Sequence, residues 1–224
     1  MAQPWQTIES VTTEEGTLEL RQRGDRDFLI TVGGRVLMNS MAHLSEVTLG
    51  QLACANLRNQ PKPRVLVGGL GMGFTLRAIL DTLPPTGEVV VAELHPIVLE
   101  WCLGPLANLT DGAATDSRVR VKIADVAHLI QSCAKDGKLE KFDAVVLDLY
   151  TGPYSGTNER DDPLYGSIAI DTTRAAIKPG GVFAVWGEDY DAGFDKRLRK
   201  AGFAVTSKRV RGGGSRHVIY MGRL

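Results

Sequence analysis

The chain has few cysteines, no excess of either charge and no long apolar run. Its three cysteines, Cys54, Cys102 and Cys133, are widely spaced and odd in number within 224 residues. That pattern excludes a disulfide framework and points to reduced thiols with packing roles in a cytoplasmic protein. The four histidines show no zinc-like spacing, so no metal site is expected. With 26 basic and 26 acidic residues the formal charge is zero, and the basic stripe of a nucleic-acid binder is missing. No apolar run reaches transmembrane length, and the start M-A-Q-P-W-Q has neither the basic nor the apolar region of a secretory signal. Internal repeats and low-complexity segments are also absent. What is left is an ordinary chain, 43% hydrophobic, of one main domain plus a small extension, engaging neither nucleic acid nor membrane.

The pattern along the chain predicts that division. T-I-E-S-V, T-L-E-L-R and D-F-L-I-T-V carry β signals between 6 and 38, separated by E-E-G, R-G-D and V-G-G-R. They predict an antiparallel meander, residues 1–40, too short for a large core of its own and suited to cover an edge or meet a second copy. Residues 40–59 have helical spacing, closed by Pro61 and Pro63. From Arg64 the chain alternates: strand 64–68, helix 73–82, strand 88–93, helix 96–107, strand 119–123, helix 125–135, strand 142–148, helix 164–178, strand 181–186, helix 191–201. This alternation predicts an α/β domain, residues 41–224, with a parallel sheet covered by helices on both faces. F-A-V-T-S-K-R-V and R-H-V-I-Y-M-G-R across R-G-G-G-S predict a closing hairpin whose last strand enters antiparallel. That layout is the Rossmann-like class I methyltransferase fold, preceded by a β-meander.

The stretch R-V-L-V-G-G-L-G-M-G, 64–73, is the organising element. A buried strand runs into Gly69, Gly71 and Gly73, where a tight strand-to-helix turn lets a ligand approach bare backbone. Free N–H groups at the following helix start would favour a polar or anionic ligand group. Glu93 closes the next strand, E-V-V-V-A-E, 20 residues past Gly73, where an acidic side chain holds ribose hydroxyls. Together these residues indicate a nucleoside-type cofactor. Ligands of such sheets bind at the carboxyl ends of the strands, which adds Asp125, Asp148 and the segment Trp186–Tyr190. Asp125 opens a helix, so it serves as an N-cap, as an acceptor for an adenine amino group, or as both. Asp148 ends F-D-A-V-V-L-D where the strand gives way to a loop, and a carboxylate there binds a cation or takes a proton from an amine. The loop from Leu149 to Tyr165 has the length and composition of a substrate lid, with Tyr150, Thr151 and Tyr154 near its start and the acidic Asp161 and Asp162 near its end.

Five further matches follow one another in order: M-A-H-L at 41–44, P-K-P-R-V-L-V-G-G at 61–69, V-A-E-L at 91–94, D-S-R-V-R-V at 116–121 and F-D-A-V-V-L-D at 142–148. In these the chain resembles the spermidine synthases, the polyamine aminopropyltransferases, which also carry an N-terminal β-meander. The resemblance implies aminopropyl transfer from decarboxylated S-adenosylmethionine to a small amine, without a metal, by a homodimer. It implies that Glu93 meets the ribose, Asp125 the adenine, and that Asp148 deprotonates the attacking amine. His43 and Asn39 would lie on the cofactor side.

The departures are as specific. Where the family has tyrosine, glutamine and glutamate ahead of M-x-x-H, this chain has Met38, Asn39 and Ser40. The glycine loop has Leu70, Gly71 and Met72 in place of an aspartate that grips the cofactor's amine, and Thr151 replaces a second aspartate after Asp148. Anionic contacts for a cationic substrate are therefore missing, and with them an argument against ordinary S-adenosylmethionine. Three functions compete: an aminopropyltransferase-like enzyme with an altered substrate site, an S-adenosylmethionine-dependent methyltransferase, and a non-catalytic nucleoside-binding or dimerisation protein.

Overall fold

The computed structural model describes residues 3–137, 139–212 and 215–224. Strands β1 (Gln6–Thr13), β2 (Gly16–Arg23), β3 (Asp27–Val32) and β4 (Arg35–Asn39) form an antiparallel sheet in chain order. The sequence had named three of them, and V-G-G-R leads into the fourth. Period-two alternation places Leu18 and Leu20 opposite Val32 and Ile30, with Phe28 on the same face. These side chains are buried and share one apolar core with Val65, Val67, Val89 and Val91. The meander therefore needs no core of its own, because its apolar face lies against the rest of the chain. Trp101 Nε1 also donates to Glu9 Oε2 at 2.8 Å, tying β1 to the body.

The second sheet has seven strands: β5 (Arg64–Gly68), β6 (Glu88–Glu93), β7 (Val119–Ile123), β8 (Phe142–Leu147), β9 (Ile177–Gly187), β10 (Ala204–Gly212) and β11 (Ser215–Arg223). Their order is β10-β11-β9-β8-β5-β6-β7, with β11 antiparallel to both neighbours. Valine-rich strands such as β5 and β8 are buried on both faces, as a covered parallel sheet requires. Alternate residues feed two cores, Val65, Val67, Ala144 and Val146 on one side, Leu66, Val145, Leu147 and Phe183 on the other. Helices α1 (Leu44–Cys54), α2 (Phe74–Thr82), α3 (Pro96–Leu103), α4 (Val126–Lys135), α5 (Ser167–Ala176) and α6 (Ala192–Lys200) complete the layers. Strand order reverses at β5, so the carboxyl ends of β5, β6 and β8 open a crevice.

Several boundaries differ from the sequence reading. The helix expected over 40–59 spans only Leu44–Cys54, because Asn39 Oδ1 accepts from Met41 N at 2.7 Å and holds a turn in front of it. The helix expected over 96–107 stops at Leu103, where the Gly104 N–H caps onto Glu100 and Trp101 carbonyls. The helix expected over 164–178 is Ser167–Ala176, and the strand expected over 181–186 already begins at Ile177. Ile177 has extended backbone, and the parallel pairing with β8 absorbs the early start as an irregularity in register. Gly213 and Gly214 of the expected hairpin turn lie outside the described residues.

One contact sets how α1 meets α2. A Cβ on Gly50 would lie 2.7 Å from the Thr75 carbonyl and 2.9 Å from Ala78 Cβ, so only glycine permits this approach. Gly50→Ala is expected to destabilise the protein by ~1–3 kcal/mol, as overpacking does. Chemical denaturation checks it, and an unchanged midpoint would show that the helices separate freely.

Candidate functional site

The crevice is a cavity of about 400 Å³. Gly69, Gly71, Glu93, Asp125, Asp148, Tyr150 and Thr151 all line it, brought together from the ends of β5, β6, β7 and β8 and from the loop after β8. The other candidates lie elsewhere. His43 stacks on Phe74 with ring centroids 4.0 Å apart, its Nδ1 2.7 Å from the Ser40 carbonyl. Asn39 serves its turn, and Gly73 packs against Thr110 at the start of α2. Tyr154 points outward beside a short 3-10 turn. Asp161 and Asp162 line a separate cavity of about 100 Å³ near α4 and α5, and Asp162 Oδ1 accepts from the N–H groups of Leu164 and Tyr165. Trp186 lines the main cavity, whereas Tyr190 stacks on Tyr220 instead.

Four N–H groups of the glycine loop have partners. Gly69 N–H donates to the Ala92 carbonyl, Leu70 N–H to Glu93 Oε2 at 2.9 Å, Met72 N–H to Met38 Sδ and Gly73 N–H to the Leu70 carbonyl. These bonds hold the loop in place ahead of α2. Its glycines serve close approach. Gly69 has φ of 87°, and a Cβ there would lie 2.3 Å from the Asp148 carbonyl. Only glycine lets the end of β8 sit beside the loop.

Glu93 is 7% exposed and holds two elements at once: Oε2 accepts from Leu70 N–H and Oε1 from His95 N–H, both at 2.9 Å. A carboxylate offers about four lone-pair sites, so capacity remains for ligand hydroxyls. Asp125 caps α4, Oδ1 accepting from Ala127 N–H at 2.8 Å, while it also lines the cavity. Both sequence readings of Asp125 are thus compatible in one residue.

Asp148 follows β8, its N–H bonded to the Gly68 carbonyl at 2.9 Å. Thr75 Oγ1 donates to Asp148 Oδ2 at 2.5 Å. Burial pushes the carboxyl well above the usual range, to about 7, the negative Glu46 pushes it the same way, and the Thr75 hydrogen bond opposes both. Glu46 was absent from the sequence candidates. It lines the same cavity and is only 7% exposed. Glu15, from the turn between β1 and β2, lines it too and accepts from Tyr150 Oη at 2.9 Å. The loop start is held a second time by Tyr165 Oη, which donates to the Thr151 carbonyl at 2.9 Å.

Five carboxylates therefore face one cavity, Glu15, Glu46, Glu93, Asp125 and Asp148, and its lining contains no lysine or arginine. The cysteines take no part. All three are free and buried, and burial pushes Cys54 and Cys102 up to about 12, far from a reactive thiolate. Among the described residues no cluster of His, Cys, Asp and Glu is arranged to hold a metal ion, and no helix is long and apolar enough to cross a membrane.

The raised Asp148 pKa fixes a sign. The folded state binds this proton more tightly than the unfolded chain, so the stabilisation is full at low pH and is lost as pH rises from about 4 through about 7. Asp148→Asn removes the charge and keeps an acceptor for Thr75. Its melting temperature is expected to exceed the wild type's by more at about pH 8 than at about pH 5. Calorimetry at both values checks this, and an equal or reversed difference would mean that Asp148 ionises without cost.

No family model matches the chain. Over 141 residues it is 34% identical to a polyamine aminopropyltransferase of Korarchaeum cryptofilum, a match covering 63% of this chain and 40% of that protein. Over 156 residues it is 30% identical to the polyamine aminopropyltransferase of Mycobacterium tuberculosis, covering 65% of this chain and 28% of that one. The chain thus spans less than half the length of these curated relatives. Among solved structures, spermidine synthase from Thermotoga maritima superposes with a TM-score of 0.71 at 19% identity, over 97% of this chain and 72% of that one. The chain has the fold of the spermidine synthases and is similar in sequence to the polyamine aminopropyltransferases.

Proposed function

We propose that the protein is an aminopropyltransferase-like enzyme, moving an aminopropyl group from decarboxylated S-adenosylmethionine to a small amine. The observation that carries this reading is the single sign of charge in the cavity. A sulfonium bearing a free amine and an acceptor ammonium are both cations, and five carboxylates with no lysine or arginine among them favour both. The same lining disfavours ordinary S-adenosylmethionine, whose carboxylate would enter an anionic site, and so weakens the methyltransferase reading. The carboxylates expected at the glycine loop and at Thr151 are missing, but Glu15 and Glu46 supply negative charge from other elements.

In this reading Glu93 and Asp125 hold the adenosyl end, and Asp148 faces the acceptor. The acceptor arrives as an ammonium, and Asp148, once ionised, takes one of its protons. The freed nitrogen lone pair attacks the methylene carbon next to sulfur. A C–N bond forms as the C–S bond breaks, and methylthioadenosine leaves as a neutral thioether. The sulfonium is a good leaving group, so the chain contributes mainly position and a neutral nucleophile. Tyr150 and Thr151, pinned by Glu15 and Tyr165, close the loop side of the cavity. The reading also includes a cytoplasmic homodimer. It is supported by the free edge of β1, where Ile8 and Val11 are 42% and 38% exposed, since unpaired strand edges find partners. Sedimentation equilibrium at micromolar concentration is expected to give a dimer, and a monomer would remove that part of the reading.

Transfer to putrescine, cadaverine, spermidine and agmatine with the decarboxylated donor is the deciding assay. Wild type is expected to turn over at least one of them, with kcat/KM rising as Asp148 ionises through about pH 7. Asp148→Asn is expected to lose ~10²–10⁴ in rate while still binding methylthioadenosine. Methylation with ordinary S-adenosylmethionine and no aminopropyl transfer would replace this function with the methyltransferase.

A further inference from the structure

We propose that Glu46 is a second acceptor-binding carboxylate, which with Asp148 grips the incoming ammonium and makes the site selective for cationic acceptors. The inference rests on the aminopropyl-transfer reading and gives a specific contact to a residue that the reading uses only as one of five charges. Glu46 is the third residue of α1. A glutamate there ordinarily turns back to cap its own helix start. This one does not: Glu46 Oε2 accepts from Ser45 Oγ at 2.5 Å, and Ser45 Oγ lies 2.8 Å from His217 Nδ1 on β11. Ser45 has one hydroxyl proton, given to Glu46, so the network assigns the Nδ1–H of His217 as donor to Ser45. The His217 ring packs edge-on against Trp186 of β9, with centroids 4.8 Å apart. Three elements thus orient one carboxylate that lines the cavity.

Among the described residues no lysine or arginine pairs with this charge. Among those residues none pairs with Asp148 either, which borders the same cavity. Thr75 Oγ1, which donates to Asp148, is also 3.1 Å from the Glu46 main-chain carbonyl, so one hydroxyl ties the Asp148 carboxylate to the backbone that carries Glu46. Two carboxylates on one cavity repel, and the Glu46 charge raises the Asp148 pKa in that way. Burying carboxylates without a partner is costly unless a ligand supplies the cation. An ammonium placed between them supplies it.

Glu46→Gln keeps the length of the side chain and an acceptor for Ser45. It is expected to raise the acceptor KM on the order of ten- to a hundredfold, with a smaller change in kcat and unchanged methylthioadenosine affinity. The pH midpoint of kcat/KM should move down, because the like charge that raises Asp148 is gone. Ser45→Ala frees Glu46 without deleting it and should raise the acceptor KM less, in the same direction, which keeps the test open if Glu46→Gln folds poorly. A folded Glu46→Gln with unaltered acceptor KM and pH midpoint would overturn the assignment while leaving aminopropyl transfer intact. A wild type that transfers to no amine would overturn both.

Discussion

The site depends on one hydroxyl. Thr75 Oγ1 stands 2.5 Å from the Asp148 carboxylate and 3.1 Å from the Glu46 carbonyl, joining α2 to the mouth of β8 and to the start of α1. It has a single proton, and the carboxylate is the stronger acceptor, so the donation goes to Asp148. The contact exists only because two side chains are missing. Gly50 lets α1 lie against the Thr75 turn, and Gly69 lets the Asp148 backbone lie against the glycine loop. The loop is tied in turn to β6 by Glu93. Displacing either glycine moves a carboxylate relative to the nucleoside side of the cavity.

The electrostatics of the chain are sorted by place. Away from the cavity, several carboxylates are paired with cations: Arg118 hydrogen-bonds Asp116 and holds its carboxyl down at about 2, and Lys178 bridges Glu140 and Asp143. At the cavity, carboxylates meet hydroxyls and backbone N–H groups instead, from Thr75, Ser45, Tyr150, Leu70, His95 and Ala127. Neutral donors fix a carboxylate's orientation without cancelling its charge. A chain with as many basic as acidic residues has cations enough to neutralise this pocket and keeps them out of its lining. Such a site is a net cost to the empty fold, a pattern common where function overrides stability.

Legibility in the sequence followed locality. The strand at 64–68, the glycine turn and Glu93 were readable because their spacing is set within one strand-turn-helix unit. Asp148 was readable because a buried strand ends in a carboxylate. Glu46 and Glu15 were not. In sequence Glu46 is one more acid in a helical pattern, and Glu15 belongs to an E-E-G turn like any other; only the packing of α1 and of the β1–β2 turn brings them to the cavity. Asp161 and Asp162 were named from the sequence and lie apart from the main cavity. Their place in a long acidic loop pointed to the substrate; they line a smaller, separate cavity, and Asp162 accepts from N–H groups of its own loop.

The compensation by Glu15 and Glu46 follows from how charge acts over distance. A hydrogen bond needs its acceptor at one place, within a few tenths of an ångström. A field does not: in a cavity with low-dielectric walls, a carboxylate on any wall contributes to the same potential. Substitution at the glycine loop and at Thr151 therefore removes specific contacts without removing the preference for a cation, provided that acids enter elsewhere. Under the aminopropyl-transfer reading, the donor amine then meets Gly71 and Met38 rather than an acidic loop, while the negative charge lies toward Glu46, Asp148 and Glu15. Such a shift loosens the grip on the donor's free amine and concentrates selectivity on the acceptor. Recognition of the acceptor thereby becomes a property of α1 and of the meander turn, two segments outside the strand-turn-helix unit that holds the nucleoside.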